Sequence, residues 1–364
     1  MTTSLPAATS VAGRKQALLT IAAGATLRAL PRIPDPVKRL LLAGRSVTLD
    51  GNTLDTTLQL MLAGQRAVGL DGLVNTDDVG AARAQLEALA ASFRQHIPVA
   101  AVTELTIPGP AGAIRARHYR PLGAGARPML VFYHGGGQVI GSLDSHDDLC
   151  RKICRDADVH VLSVDYRLAP EHKAPAGSDD AYAGFSWAQE HAAELGADPE
   201  VIAVGGDSAG GNLAALVALR ARDEDIAPPA LQLLFYPVTD YAAQTRSQIL
   251  FASGFFLTKR DLEWFRAHYL DGAGLDAADP RVSPLRAEDL SGLAPALVLT
   301  AGFDPLRDEG RQYADAMRAA GVPVDYREYG SLVHGFANFF PLGGGSAVAT
   351  TEAISALRAH LARR

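Results

Sequence analysis

Val201-Ile202-Ala203-Val204-Gly205-Gly206-Asp207-Ser208-Ala209-Gly210-Gly211-Asn212 is the stretch whose reading decides the fold. Its first four residues are apolar and two are valine, the pattern of a buried parallel strand. The next run, Leu213 to Arg220, is rich in Ala and Leu and favours helix. Between strand and helix lies Gly206-Asp207-Ser208-Ala209-Gly210, a G-x-S-x-G in the strand–turn–helix context that gives the motif its meaning. The turn has to be sharp, so glycines flank the serine where a Cβ would strike neighbouring backbone. A serine there presents its Oγ above the strand ends, at the positive N-terminus of the next helix. The competing reading is a Gly/Ser-rich turn without chemistry. The flanking strand and helix favour a nucleophile at Ser208.

Outward from this turn the chain alternates. Val102 to Ile107 and Ala113 to Tyr119 read as a hairpin around Pro108-Gly109-Pro110, and Pro128 to Tyr133 as a solidly apolar strand. Further strands are expected at Val159–Val164, Leu231–Tyr236, Ala296–Thr300 and Val324–Tyr329. Helices are expected at Leu149–Ala157, Ala174–Leu195, Arg307–Ala320 and Ser346–Leu361. Strands alternating with helices specify an α/β fold with an eight-stranded, mostly parallel sheet flanked by helices. Residues 1–95 read as helical, with helices before Pro31, around Val37–Leu42, at Thr53–Ala67 and at Val79–Gln95. Residues 238–294 interrupt the alternation. There Thr258-Lys259-Arg260-Asp261 fits a capping box opening a helix through Tyr269.

The bulk numbers exclude several classes. A net charge of −6 argues against a general nucleic-acid binder. No apolar run reaches the length of a membrane span. Leu18 to Leu27 after Arg14-Lys15 faintly resembles a signal-peptide core, but Arg28 comes at once and no small-x-small cleavage site ends it. The expectation is therefore a cytoplasmic protein, not a secreted one. The charge is uneven: residues 1–48 carry seven Lys/Arg against the single acid Asp35, which suggests peripheral contact with a membrane or lipid interface. Cys150 and Cys154 lie four apart in a helical stretch, a spacing unsuited to a disulfide, and read as buried thiols. No metal site is expected.

Serine is a weak nucleophile at its own pKa, so Ser208 needs a base and the base an orienting acid. In an open parallel sheet, chemistry sits beyond the carboxyl ends of strands. Asp304 comes after the strand ending at Thr300, and His334 after the last strand, giving the order Ser208…Asp304…His334. Asp308 and Glu309 are rivals to Asp304 but fall within the next helix. After the strand ending at Tyr133 comes His134-Gly135-Gly136-Gly137. Consecutive glycines let backbone N–H groups turn toward a developing oxyanion, so Gly135, Gly136 and Ala209 are the expected donors. His134 and Gly137 shape that loop, and Asp207 holds the surroundings of the turn through backbone hydrogen bonds. Asp165, Tyr166 and Arg167 read as a buried polar brace, and Phe255 and Phe256 as pocket walls or core packing.

His134-Gly-Gly-Gly137 with Gly206-Asp-Ser-Ala-Gly-Gly211 resembles the hormone-sensitive-lipase-like esterases, bacterial lipolytic family IV. Tyr166-Arg167-Leu168-Ala169-Pro170-Glu171-His172 and Asp304-Pro305-Leu306-Arg307-Asp308-Glu309-Gly310 also match recurring stretches of that family. The resemblance runs from about Ile107 to the C-terminus. It implies an α/β-hydrolase domain over 96–364, capped by helices from 1–95 and from an insertion at 238–294. It further implies a cofactor-free carboxylesterase for short- to medium-chain esters, with a free sheet edge as a common homodimer site. A deacetylase or amidase on the same residues, or a ligand-binding protein of the same fold, are the alternatives.

Overall fold

Period-two apolar runs interleaved with Ala/Leu-rich stretches give one eight-stranded sheet in the computed structural model, which describes Leu27 and residues 29–363 apart from Ala243. The described chain enters through a short helix, α1 (Asp35–Leu41), and a small hairpin, β1 (Thr48–Leu49) with β2 (Asn52–Thr53). Helices α2 (Thr56–Ala67) and α3 (Val79–Ser92) come next. Asp55 caps α2 by accepting from the N–H groups of Thr57 and Leu58, and Asp78 caps α3 by accepting from that of Ala81. The hairpin departs from the all-helical expectation, because two-residue strands are too short to show alternation. Of the helix expected before Pro31, only Leu27, Ala29 and Leu30 lie among the described residues.

The main sheet begins with the antiparallel pair β3 (Ala101–Gly109) and β4 (Gly112–Arg120), then β5 (Arg127–Tyr133). Next come α4 (Asp147–Ala157), β6 (His160–Asp165), α5 (Ala176–His191), β7 (Ala197–Asp207), α6 (Ala209–Asp223) and β8 (Gln232–Phe235). Two further helices, α7 (Arg246–Leu250) and α8 (Lys259–Leu270), separate β8 from β9 (Ala296–Phe303), α9 (Arg307–Ala319), β10 (Val324–Val333) and α10 (Gly344–Leu361). Strand order is β10-β9-β8-β7-β5-β6-β4-β3, parallel from β10 to β6. The chain leaves β5 for β6 on one side and returns past it to β7 on the other. That reversal opens a crevice at the carboxyl ends of β5 and β7, where such sheets place ligands.

Side chains alternate between two cores. Leu130, Phe132, Val161, Ala203 and Leu233 face α4 and α10, whereas Met129, Val131, Leu162, Val204 and Leu234 face α5, α6 and α9. A third cluster, with Val74, Ala82, Val139, Ile140, Phe265 and Leu306, joins α3 and α8 to the loops that follow β5 and β9. The capping box expected at Thr258 and Asp261 is present in both halves. Asp261 does more than cap. Its carboxylate also accepts from the N–H groups of Leu73 (3.0 Å) and Val74 (2.9 Å), so one buried side chain ties the two cap segments together. Asp261→Ala removes the reciprocal half of the capping box and leaves the N–H groups of Thr258, Leu73 and Val74 without their acceptor, a loss of roughly 3 kcal/mol. Urea denaturation measures it; a variant within experimental error of wild type would show that the joint is dispensable.

Candidate active site

Ser208 occupies the turn between β7 and α6 with φ +56° and ψ −118°, a region that residues with a Cβ rarely enter. The turn is held from outside. The Ser208 N–H donates to the Phe235 carbonyl (2.8 Å), and the Ser208 carbonyl accepts from Asn212 N–H (3.1 Å). A Cβ on Gly210 would fall inside the Tyr133 carbonyl, and one on Gly206 would strike both Tyr133 and Gly210. Only glycine lets β5, β7 and α6 approach this closely.

The expected base and its orienting acid arrive from the ends of β10 and β9. Val333 pairs with Phe303, after an irregularity that adds residues to β10, so Asp304 and His334 emerge side by side. Asp304 is fully buried, accepts from the Leu306 N–H through Oδ1 (2.8 Å) and lies 2.8 Å from His334 Nδ1 through Oδ2. With the imidazole proton on Nδ1 directed at Asp304, Nε2 is left as an acceptor 2.9 Å from Ser208 Oγ. The rivals are committed elsewhere: Asp308 to Arg307 and the Ser247 N–H, Glu309 to the N–H groups of Thr239 and Asp240.

The glycine loop differs from expectation at one position. Tyr133 pairs with Gly206, which puts Gly135 beside Asp207, and the Gly135 N–H donates to Asp207 Oδ1 (2.9 Å). That donor is taken, so Gly135 anchors the loop and is not placed to serve an oxyanion. Gly136 is placed differently: its φ of +119° and the closeness of Ile140 exclude a side chain. Ala209 opens α6, where the N–H has no acceptor within the helix. Asp207 is a hub. It also accepts from Asn338 Nδ2 (2.9 Å) and lies 3.2 Å from His146 Nε2. Burial would raise its carboxyl, but attraction to His146 and hydrogen bonds from His146 and Gly135 outweigh that and hold it below the ordinary value.

His134 is buried, stacks on Tyr166 and is pushed down to about 3 by burial and by repulsion from His146, so it is neutral. Tyr166 braces the loop by donating its hydroxyl to the His134 carbonyl (2.7 Å), and Arg167 pairs with Asp180. His146 belongs to none of the motifs in the sequence. The fold alone brings it against Asp207. Among the described residues no group of three or more His, Cys, Asp or Glu is placed to hold a metal, and Cys150 and Cys154 are buried free thiols.

Ser208 and His334 open into a cavity of about 280 Å³. Its walls come from α3 (Leu86, Leu89, Ala90) and α8 (Leu262, Phe265), with Phe93, Val238, Phe339 and Phe340. Phe256 lines it with its ring against Phe339, whereas Phe255 turns away to pack on Phe251 and Phe303. Glu309 also lines the cavity, and burial pushes its carboxyl up to about 8.

Residues 130–338 match the family described as alpha/beta hydrolase fold, and the chain belongs to that family, in its hormone-sensitive-lipase-like branch. Among relatives, a carboxylic ester hydrolase of Mycobacterium tuberculosis, LipN, is 62% identical over 93% of this chain and 91% of its own. The esterase LipI of the same organism is 41% identical over 78% of this chain and 89% of its own. An ester-hydrolase structure from the metagenome of Lake Arreo superposes with a TM-score of 0.78 at 43% identity, covering 83% of this chain and 96% of the other.

Glu309 gives a pH test. Between the ordinary carboxyl value of 4.5 and about 8, the folded chain keeps a proton that the unfolded chain has lost. Its contribution is therefore fully present on the acid side and is lost as pH rises toward 8. Glu309→Gln mimics the protonated acid and should flatten the fall in urea midpoint between about pH 5 and about pH 8. An unchanged slope would mean that another group sets it.

Proposed function

We propose that this chain is a serine carboxylesterase that hydrolyses short- to medium-chain esters by two-step acyl transfer. The observation that carries it is the continuous relay Ser208 Oγ–His334 Nε2 (2.9 Å) and His334 Nδ1–Asp304 Oδ2 (2.8 Å), set at the floor of an apolar cavity. His334 takes the Ser208 proton as Oγ attacks the ester carbonyl, and Asp304 stabilises the imidazolium that forms. The N–H groups of Gly136 and Ala209 receive the oxyanion. His334 returns the proton to the departing alcohol, leaving an acyl-serine. Water then attacks, giving its proton to His334, and the acid leaves as Ser208 is restored.

The cavity volume, about 280 Å³, lies just below the range of about 300–1,000 Å³ usual for ligand sites, which supports compact acyl chains. The substrate reading extends to esters presented at an anionic lipid interface, which the basic residues of the N-terminal segment favour.

Turnover of p-nitrophenyl esters from acetyl to palmitoyl tests the proposal. Wild type should peak at short to medium chains, and Ser208→Ala should lose on the order of 10⁴-fold or more in kcat. Activity surviving in the mutant would remove Ser208 from the reaction. Asp207→Ala frees the glycine loop and should lower kcat by about 10²–10³-fold with little change in KM. A change confined to KM would instead make Asp207 part of substrate binding.

A further inference from the structure

We infer that α1 is a docking surface for an anionic lipid bilayer and sets the wall of the cavity against that bilayer. The inference rests on the lipid-ester reading of the site, but its evidence lies on a different face of the molecule.

Large exposed apolar side chains are scattered singly except at α1. Val37 (44% exposed), Leu40 (77%) and Leu41 (62%) are three of the seven in the described chain, and their i, i+3, i+4 spacing puts them on one helical face. The opposite side of the helix is fastened. Lys38 is buried, with Nζ donating to Thr57 Oγ1 (2.8 Å) and to Asp35 (3.2 Å), so the apolar face is held outward. Patches of this kind mark interaction sites when charge surrounds them.

Here the charge has one sign. Arg32, Arg39 and Arg45 flank the face, all are exposed, and none forms an ion pair among the described residues. The only acid of the first 48 residues, Asp35, is spent on Lys38. That segment carries a net charge of +6 in a chain whose total is −6. A soluble protein partner needs no such asymmetry, whereas an anionic leaflet attracts basic groups and accepts leucines at the level of its headgroups.

Position connects the surface to the chemistry. The turn Leu30–Arg32, just before α1, packs against the turn Phe340–Leu342, and Leu30 is buried in the same cluster as Phe339 and Phe256. Phe256, Phe339 and Phe340 line the cavity. A bilayer resting on α1 therefore lies beside the cavity wall, and an ester drawn from it travels a short way through water.

Full-length protein is mixed with sedimentable vesicles of phosphatidylcholine alone or with about 30% phosphatidylglycerol, and the bound fraction is measured. Wild type should bind the anionic vesicles at low salt, lose them at high salt and ignore the neutral ones. Replacing Arg32, Arg39 and Arg45 by Gln should weaken binding on the order of 100-fold, taking about fivefold per arginine. L40S/L41S should also weaken it, while both variants keep wild-type turnover of a soluble p-nitrophenyl ester. No binding by wild type, or equal binding to neutral vesicles, overturns the inference. So does dimerisation abolished by L40S/L41S with vesicle binding unchanged, which would make the face a contact between copies. Loss of soluble-ester turnover in wild type would strike the esterase proposal alone.

Discussion

The strained turn at Ser208 is the constraint on which the site depends. Holding a residue with a Cβ at φ +56° and ψ −118° costs about 1–3 kcal/mol, so the conformation persists only because its surroundings leave no alternative. β7 ends against the Phe235 carbonyl, α6 begins at Ala209, and the Tyr133 carbonyl sits where a side chain on Gly210 would be. Three neighbouring residues are thereby aimed in three directions. Asp207 points back into the glycine loop, Ser208 up to His334, and Ala209 presents the first N–H of the helix.

Two buried carboxyl groups near this turn take opposite protonation states, and each state has a structural cause. Asp207 stays ionised because Gly135 and His146, from the two ends of the β5–α4 connection, and Asn338, from the loop after β10, converge on it. Its charge binds those loops to the turn, and spending the Gly135 N–H is part of that attachment. Glu309 has two backbone donors but no cation, and burial prevails, leaving it neutral near pH 7. A further full negative charge at the cavity wall would oppose the anion that forms during the proposed acyl transfer. Neutral Glu309 avoids that repulsion while still fixing the Thr239–Asp240 backbone.

Chain order carried much of this. The eight-strand sheet, the strand-end positions of Asp304 and His334, and the capping box at Thr258 were all readable, because each rests on local pattern or on the residues just past a strand end. The features that escaped depend on contacts distant in sequence. No spacing reveals that the N–H of Gly135 is claimed by Asp207, 72 residues away, or that His146 lies against the same carboxylate. Phe255 and Phe256 are equivalent as letters. The positive φ of Phe256, +75°, sends the two rings to different sides, one into the cavity and one into the core.

The N-terminal segment shows why sequence distance is a poor guide to mechanical importance. The β1–β2 hairpin looks peripheral, yet the Asn52 side chain packs so closely on Gly330 that a Cβ there would force it to move, and the Asp55 N–H donates to the Ser331 carbonyl (2.8 Å). Asp50, at the hairpin tip, receives Arg246 and the buried Arg307 and is held down at about 2 by those hydrogen bonds. Arg307 in turn donates to the Gly302 carbonyl, and its own N–H to that of Asp304 (3.1 Å). The hairpin thus grips the end of β10 that leads to His334 and, through Arg307, the end of β9 that leads to Asp304. His334 and Asp304, at the ends of two different strands, keep a 2.8 Å hydrogen bond only if those strand ends cannot slide past each other. The β1–β2 hairpin supplies that restraint, so the N-terminal segment that lines the cavity also braces His334 against Asp304.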